Sequence, residues 1–534
     1  MKLNLAELKN KEQWLEKGYS LSTYNRERMV KNTINNPKWI HFGAGNIFRG
    51  FPAHLMQNLL ENNIEDTGII VAEGFDFDII DKIYSPHDNL NLLVTLNSDG
   101  TIEKKVIDSL AVSYKCDYAF QEDWESLNKV FSNKSLQMVS FTITEKGYSL
   151  QDSNNNYYSI AVEDFNNGPM KSKLFLSKLT ALVYNRYKKT NWPLALVSMD
   201  NCSHNGEKLQ KAVMTIAENW LKNNFVEPEF ITYLNESVSF PWSMIDKITP
   251  RPDKSVVEML KADGFEDTDI IVTDKNTWIA PFVNAEKPQY LVIEDDFPNG
   301  RVALEKSGVF FTSRETVNKV EKMKVCTCLN PLHTTLAVLG CLLSYNLISE
   351  EMKDPQLKKL VEIIGLEEGM KVVVDPKIIN PKDFISEVLN IRFPNPFMPD
   401  TPQRIACDTS QKLSIRFGET VKAYIEREDL NVNQLKYIPF VYAAWIRYLM
   451  GVDDNGVKFE LSPDPLLNVV TPFVSDINLG DKGPFEDQLK DLLSNEKIFG
   501  VNLYDAKLAK LVLKYFSEMV SEKGAIRKTL ENIL

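Results

Sequence analysis

An α/β domain followed by a mainly α-helical domain is the fold class this sequence predicts, and three observations predict it. The 534 residues exceed what one hydrophobic core holds, so two large domains are expected. A short apolar run, Lys38 to Phe42, ends in Gly43-Ala-Gly45 and leads through an amphipathic stretch to a second apolar run, Gly68 to Glu73. Beyond about residue 315 the apolar spacing becomes that of helices. The expected division is therefore residues 1–315 for the α/β domain, with a helical lead-in, and 316–534 for the helical domain.

The first 36 residues read as a polar helical lead-in closed by Asn35-Asn36-Pro37. Lys38 to Phe42 is a strand, and Gly43 to Arg49 turns into one amphipathic helix through His54, Leu55 and Leu59. Strand, glycine turn, helix and strand together begin a Rossmann-type nucleotide-binding sheet. Leu92 to Leu96 and Thr101 to Ile107 flank Asn97-Ser-Asp-Gly100 and read as a hairpin. Met138 to Thr144 and Leu194 to Met199 are further buried strands ending in polar turns, where open α/β sheets gather their ligands. Thr144 is placed at the cofactor on that ground. Gln151 to Asn167, rich in Asn, Asp and Ser, reads as a surface loop. In the second domain helices are expected at Pro331 to Tyr345, Asp354 to Ile364, Pro381 to Ile391, Thr420 to Arg427, Tyr437 to Met450 and Ala506 to Leu534.

Composition excludes several classes. With 61 basic and 73 acidic residues the net charge is −12, which leaves no basic excess for nucleic acid. Six scattered cysteines fit reduced thiols and a cytoplasmic protein. The first residues lack the apolar core of a signal peptide, and no apolar run approaches the ~20 residues of a membrane span.

Gly43-Ala-Gly45-Asn46-Ile47-Phe48 contains GxG, but Phe48 stands where a third glycine is common. The two glycines permit a tight turn and close approach to a pyrophosphate. Phe48 implies looser packing of helix on strand. Glu73, ending the second strand, can bind both ribose hydroxyls and so favours NAD over NADP, with Asp76 a rival for that role.

Lys324-Val-Cys-Thr-Cys-Leu-Asn330-Pro-Leu-His333 brings an amine, an amide and an imidazole within ten residues. A metal-free alcohol dehydrogenase needs these groups around one carbon. The amine takes or returns the hydroxyl proton, and the other two donate to the oxygen as charge develops. Cys326, Cys328 and His333 lack zinc-site spacing and no second ligand pair follows, so no metal is expected.

Four further stretches, Ser140-Phe-Thr-Ile-Thr-Glu145-Lys-Gly147-Tyr148, Ser198-Met-Asp200-Asn201, Met244-Ile-Asp246-Lys-Ile-Thr249-Pro250 and Asp408-Thr-Ser-Gln-Lys412, stand in order along most of the chain. With the Lys-Asn-His segment they resemble the mannitol dehydrogenase family of long-chain polyol and sugar-acid dehydrogenases. The resemblance implies an NAD cofactor and a small sugar acid or polyol as partner. It implies Lys324 as acid/base, Asn330, His333 and Asn201 as polarising groups, and Arg404 and Lys412 as anchors for substrate hydroxyls or a carboxylate. The expected reaction is hydride transfer on a keto-uronate/aldonate pair, fructuronate/mannonate ahead of tagaturonate/altronate and mannitol/fructose. A nucleotide-binding sensor without turnover is the alternative from another class. One departure stands out: the family commonly places Lys five residues before Asn, and here the interval is six. An extra residue turns a helix by about 100°, so the segment must kink or bulge. Pro331 favours a helix restarting with Asn330 as N-cap; Lys322 is the alternative amine.

Overall fold

The computed structural model describes residues 1–152 and 154–534. The chain divides into two compact units, Met1–Asn318 and Lys319–Leu534.

The first unit is built on six parallel strands: β1 (Trp39–Phe42), β2 (Ile69–Glu73), β3 (Leu110–Lys115), β4 (Met138–Phe141), β5 (Leu194–Ser198) and β6 (Val238–Ser239), in spatial order β3-β2-β1-β4-β5-β6. This is the doubly wound order of a dinucleotide-binding fold, which reverses direction at β1 and β4. Alternate residues feed two separate cores: Ile40, Phe42, Ile70, Phe141 and Leu196 pack on one face, and Trp39, Ile69, Val71, Met138 and Val197 on the other. Both faces being covered explains why these strands read as unbroken apolar runs. Asn91–Leu96 and Ile102–Ile107 pair antiparallel as a hairpin, and Phe282–Glu286 joins its edge in parallel.

Three segments of the first unit differ from expectation, and in the second unit the expected tail helix Ala506 to Leu534 is two helices, Ala509–Val520 and Ala525–Ile533. The helix after the glycine turn is two helices, α1 (Asn46–Gly50) and α2 (Pro52–Glu61), broken at Phe51 with φ −133° and ψ −72°. Pro52 has no N–H to continue α1 and disfavours helical geometry in the residue before it. The lead-in is interrupted by Tyr19–Ser20, which pairs in parallel with Lys104–Lys105. Ser159–Asn167 is a helix that buries Ala161, Asp164 and Phe165. Its apolar face is only two residues wide, so the surrounding polar composition masked the spacing.

In the second unit α4 (Asn330–Leu342) is buried on every side from Leu336 to Leu342, like a helix at the centre of a bundle. It follows α3 (Arg314–Met323) through a five-residue π-helical turn, Lys324–Cys328. The helical run Arg314–Leu342 is long and apolar enough to cross a membrane by length and composition, but 72% of its most apolar window is buried inside the protein. Further π-turns lie at Ile364–Gly369, Val388–Arg392 and Ser414–Gly418.

Candidate active site

The glycine turn is shaped by two different demands. Gly43 has φ +103°, and a Cβ there would stand 2.2 Å from the Thr142 carbonyl oxygen, so no other residue fits. Gly45 is in ordinary extended geometry (φ −80°, ψ −173°), and a Cβ there would meet nothing within 4 Å. The protein itself does not require glycine at this position. The open space beside it suits the close approach of a pyrophosphate to backbone. Asn46 and Ile47, half-buried, open α1 beside that space. These residues fit the phosphate portion of a dinucleotide.

Phe48 is fully buried and its ring stacks on His41 at 4.1 Å and 9°. The expected loosening is thus absent, because the strand presents a flat imidazole to the ring rather than a branched side chain. His41 is held from both nitrogens, by Ser140 Oγ at 2.6 Å and Thr142 Oγ1 at 2.8 Å, and burial pushes it down to about 3. Trp39 Nε1 donates to the same Ser140 hydroxyl at 2.7 Å. Sequence reasoning passed over this network, although a histidine within an apolar strand was its signal.

Glu73 faces inward. Its Oε2 accepts from the Ala44 amide at 2.8 Å, and its Oε1 accepts from the amides of Gly74, Phe75 and Asp76 at 3.0, 2.8 and 3.2 Å. A carboxylate offers about four acceptor sites. Three of the four amides share Oε1 and one uses Oε2, so Glu73 clamps the glycine turn to the end of β2 while Oε2 keeps one acceptor position open. Burial raises its pKa against the pull of those amides. Asp76, the rival, is buried and accepts from Thr273 Oγ1 at 2.6 Å.

At the ends of β4 and β5, Thr144 has φ +65° and ψ 158°, a conformation costing a non-glycine residue about 1–3 kcal/mol. Asp200 holds it there: its carboxylate accepts from the Ile143 and Thr144 amides, both at 2.9 Å, and from the Tyr148 hydroxyl at 2.5 Å. Asn201 follows Asp200 as an exposed residue of the turn after β5. Asp246 is buried at the end of the strand Ser243–Asp246.

In the second unit the extra residue between Lys324 and Asn330 is absorbed by the π-turn, whose i→i−5 bond runs from the Leu329 amide to the Lys324 carbonyl at 3.1 Å. A bulge is therefore present, but the helix restarts one residue earlier than expected, with Leu329 as N-cap and Pro331 in its first turn. Turns of this kind recur at functional sites. Lys324 is buried at 4% exposure. Cys326 and Cys328 have their thiols pushed up to about 12 by burial, as packing thiols do. Among the described residues no three His, Cys, Asp or Glu side chains converge on a common point that could hold a metal.

His333, one turn after Asn330, packs beside Phe393 at 5.1 Å. Its Nε2 is buried without a hydrogen-bond partner, and Asp400 Oδ2 stands 3.6 Å away, beyond hydrogen-bond reach. Burial, with Arg416, Arg404 and Arg392 nearby, pushes the imidazole down to about 3, so it is neutral and offers one N–H. Arg404, largely exposed, is paired with Asp400. Lys412 Nζ donates to the Cys407 carbonyl at 2.7 Å and lies 3.9 Å from Asp408. Sequence reasoning missed Arg392, Asp400 and Arg416.

A doubly wound dinucleotide-type sheet, followed in the chain by a helical unit with a buried amine, an amide and a neutral imidazole on one segment, defines an oxidoreductase of the secondary-alcohol type. The chain belongs to the mannitol dehydrogenase family: residues 37–306 match the mannitol dehydrogenase Rossmann domain and residues 316–520 its C-terminal domain. It is 53% identical to D-mannonate oxidoreductase of Thermotoga maritima, over 100% of this chain and 99% of the relative. It is 28% identical to mannitol dehydrogenase 2 of Saccharomyces cerevisiae, over 99% and 98%. Among solved structures it is similar to Pseudomonas fluorescens mannitol 2-dehydrogenase in ternary complex with NAD and D-mannitol (TM-score 0.70, 25% identity, 100% and 99% covered). A substrate-free D-sorbitol dehydrogenase shares the fold (TM-score 0.78, 23% identity, 95% and 97% covered).

Proposed function

We propose that this protein is an NAD-dependent oxidoreductase that interconverts D-mannonate and D-fructuronate. The observation that carries this reading is the full-length 53% identity to a D-mannonate oxidoreductase. The arginine-rich surroundings of His333, in a chain of net charge −12, support an acidic substrate over a neutral one.

NAD, when bound, supplies the acceptor and donor of hydride. Gly43, Gly45, Asn46, Ile47 and Phe48 would hold its pyrophosphate at the glycine turn, with Thr144 a further residue of the cofactor site. Glu73 keeps that turn in shape through the Ala44 amide. In oxidation Lys324 takes the proton of the substrate hydroxyl, and in reduction it returns it. Asn330 and the orphaned ring nitrogen of His333 donate to the reacting oxygen as negative charge grows there, with Asn201 a further donor. A neutral imidazole at 333 suits this task, because it polarises the oxygen without competing for the proton. Arg404 and Lys412 hold substrate hydroxyls.

The test is a panel of D-mannonate, D-altronate and D-mannitol with NAD, and of the matching ketones with NADH. The expected result is fastest turnover of mannonate and fructuronate. Preference for altronate would move the assignment to tagaturonate reduction. Preference for mannitol would move it to a polyol dehydrogenase, and NADH binding without any turnover to a sensor.

A further inference from the structure

Arg416 leaves the π-turn Ser414–Gly418, one helical turn beyond Lys412. One of its N–H groups reaches Thr334 Oγ1, and the Thr334 hydroxyl in turn donates to the Asn330 carbonyl at 3.0 Å. No carboxylate of the described residues pairs with it. The neighbouring cations differ in this respect: Arg404 has Asp400, and Lys412 has the Cys407 carbonyl and Asp408. A guanidinium carries five N–H donors in a planar fork. Arg416 therefore presents a partly buried charge with most of its donors unassigned, and withdrawal from water with no counter-charge pushes it down to about 10. Buried charge of this kind is ordinarily paired. Its field falls on His333, next to Thr334 in the chain and itself carrying the orphaned Nε2.

We propose that Arg416 is the carboxylate anchor of the substrate, pairing with the acid group remote from the reacting carbon and so selecting sugar acids over polyols. The inference rests on the sugar-acid reading above, and it moves that role away from Arg404, whose charge Asp400 already pairs. Arg392, buried nearby, adds positive potential to the same region. Thr334 is a positioning residue: it ties the guanidinium to the first turn of α4, and hence to Asn330 and His333.

D-mannonate and D-mannitol make a clean test. Mannitol is two-fold symmetric, so both present the same carbinol and differ only in whether the far end is a carboxylate or a CH₂OH. In Arg416→Met the ratio of kcat/KM for mannonate to that for mannitol is expected to fall about ten- to hundred-fold, the range of a charge-assisted hydrogen-bonded pair, mainly through KM for mannonate. Arg416→Lys keeps the charge without the fork and is expected to lose about five- to tenfold. If Arg416→Met does not fold, the lysine variant carries the test. A ratio within threefold of wild type in a folded variant overturns the proposal. So does an equal loss on both substrates, which would mark Arg416 as support for α4 alone. Wild-type enzyme preferring altronate defeats the mannonate reading but not this one, and the ratio is then taken for altronate against altritol. Wild-type enzyme preferring polyols to every aldonate defeats both.

Discussion

Replacing Phe48 with glycine would complete the GxGxxG pattern, and the structure predicts that the repair is damaging. Phe48 is fully buried, stacked at 4.1 Å on an imidazole that is fixed at both nitrogens. Removing a buried phenyl ring costs about 3–5 kcal/mol, and glycine inside a helix adds about 1 kcal/mol. The expected loss is therefore about 4–6 kcal/mol. It is concentrated on β1, β4 and α1, because His41 would lose the ring stacked on it. Hydrogen exchange followed by mass spectrometry reads this locally, which suits a two-unit chain in which a single global transition is not assured. Peptides covering Trp39–Phe42 and Met138–Phe141 should exchange faster by a factor matching that loss, and NADH should bind more weakly. Protection changed by less than about 1 kcal/mol, with tighter NADH binding, would refute the view that the ring and the imidazole together fix the turn.

Two more predictions concern the chemistry. Lys324→Ala should lower kcat by about 10²–10⁴ while NADH affinity stays within about twofold, as measured by stopped-flow turnover and fluorescence titration; near wild-type turnover would remove Lys324 from its role and turn attention to Lys322. His41 and His333 both fall to about 3 from an unfolded value near 6.5, so each binds its proton less readily in the folded state. The stability they contribute as neutral rings is therefore present above pH ~6.5 and is lost as pH falls toward about 3, at roughly 1.4 kcal/mol per unit each. Ring resonances followed by NMR should show no titration of either between pH ~8 and ~5, and a midpoint near 6.5 would contradict the burial argument.

Much of the first unit was readable because its strands are covered on both faces and so appear as unbroken apolar runs between polar turns. The exception within them, His41, carried information that apolar periodicity ignores: a polar residue in the middle of a buried strand needs polar neighbours on the next strand, and Ser140 is its register partner. The break at Phe51 was also legible in Pro52. For the second unit, one extra residue in the Lys-Asn interval was enough to require a bulge, since helical phase leaves no other outlet. The neutralisation of Arg404 was within reach too, because Asp400 precedes it by four residues. Arg416 was not. What distinguishes it is the lack of a counter-charge, and that is a property of three-dimensional surroundings which a common residue type does not announce. The backbone clamp made by Glu73 was hidden for the same reason: an acid at a strand end looks the same whether or not it also binds its own backbone.

The widened turn at Lys324–Cys328 has a consequence for how such chains diverge. A single-residue insertion in a regular helix would swing everything beyond it by about 100°, expelling the buried face of α4 from the bundle. Here the insertion is confined to one wide loop of backbone, and the helix downstream keeps its seat. A wide turn of this kind can take up one residue without displacing the helix core that follows it.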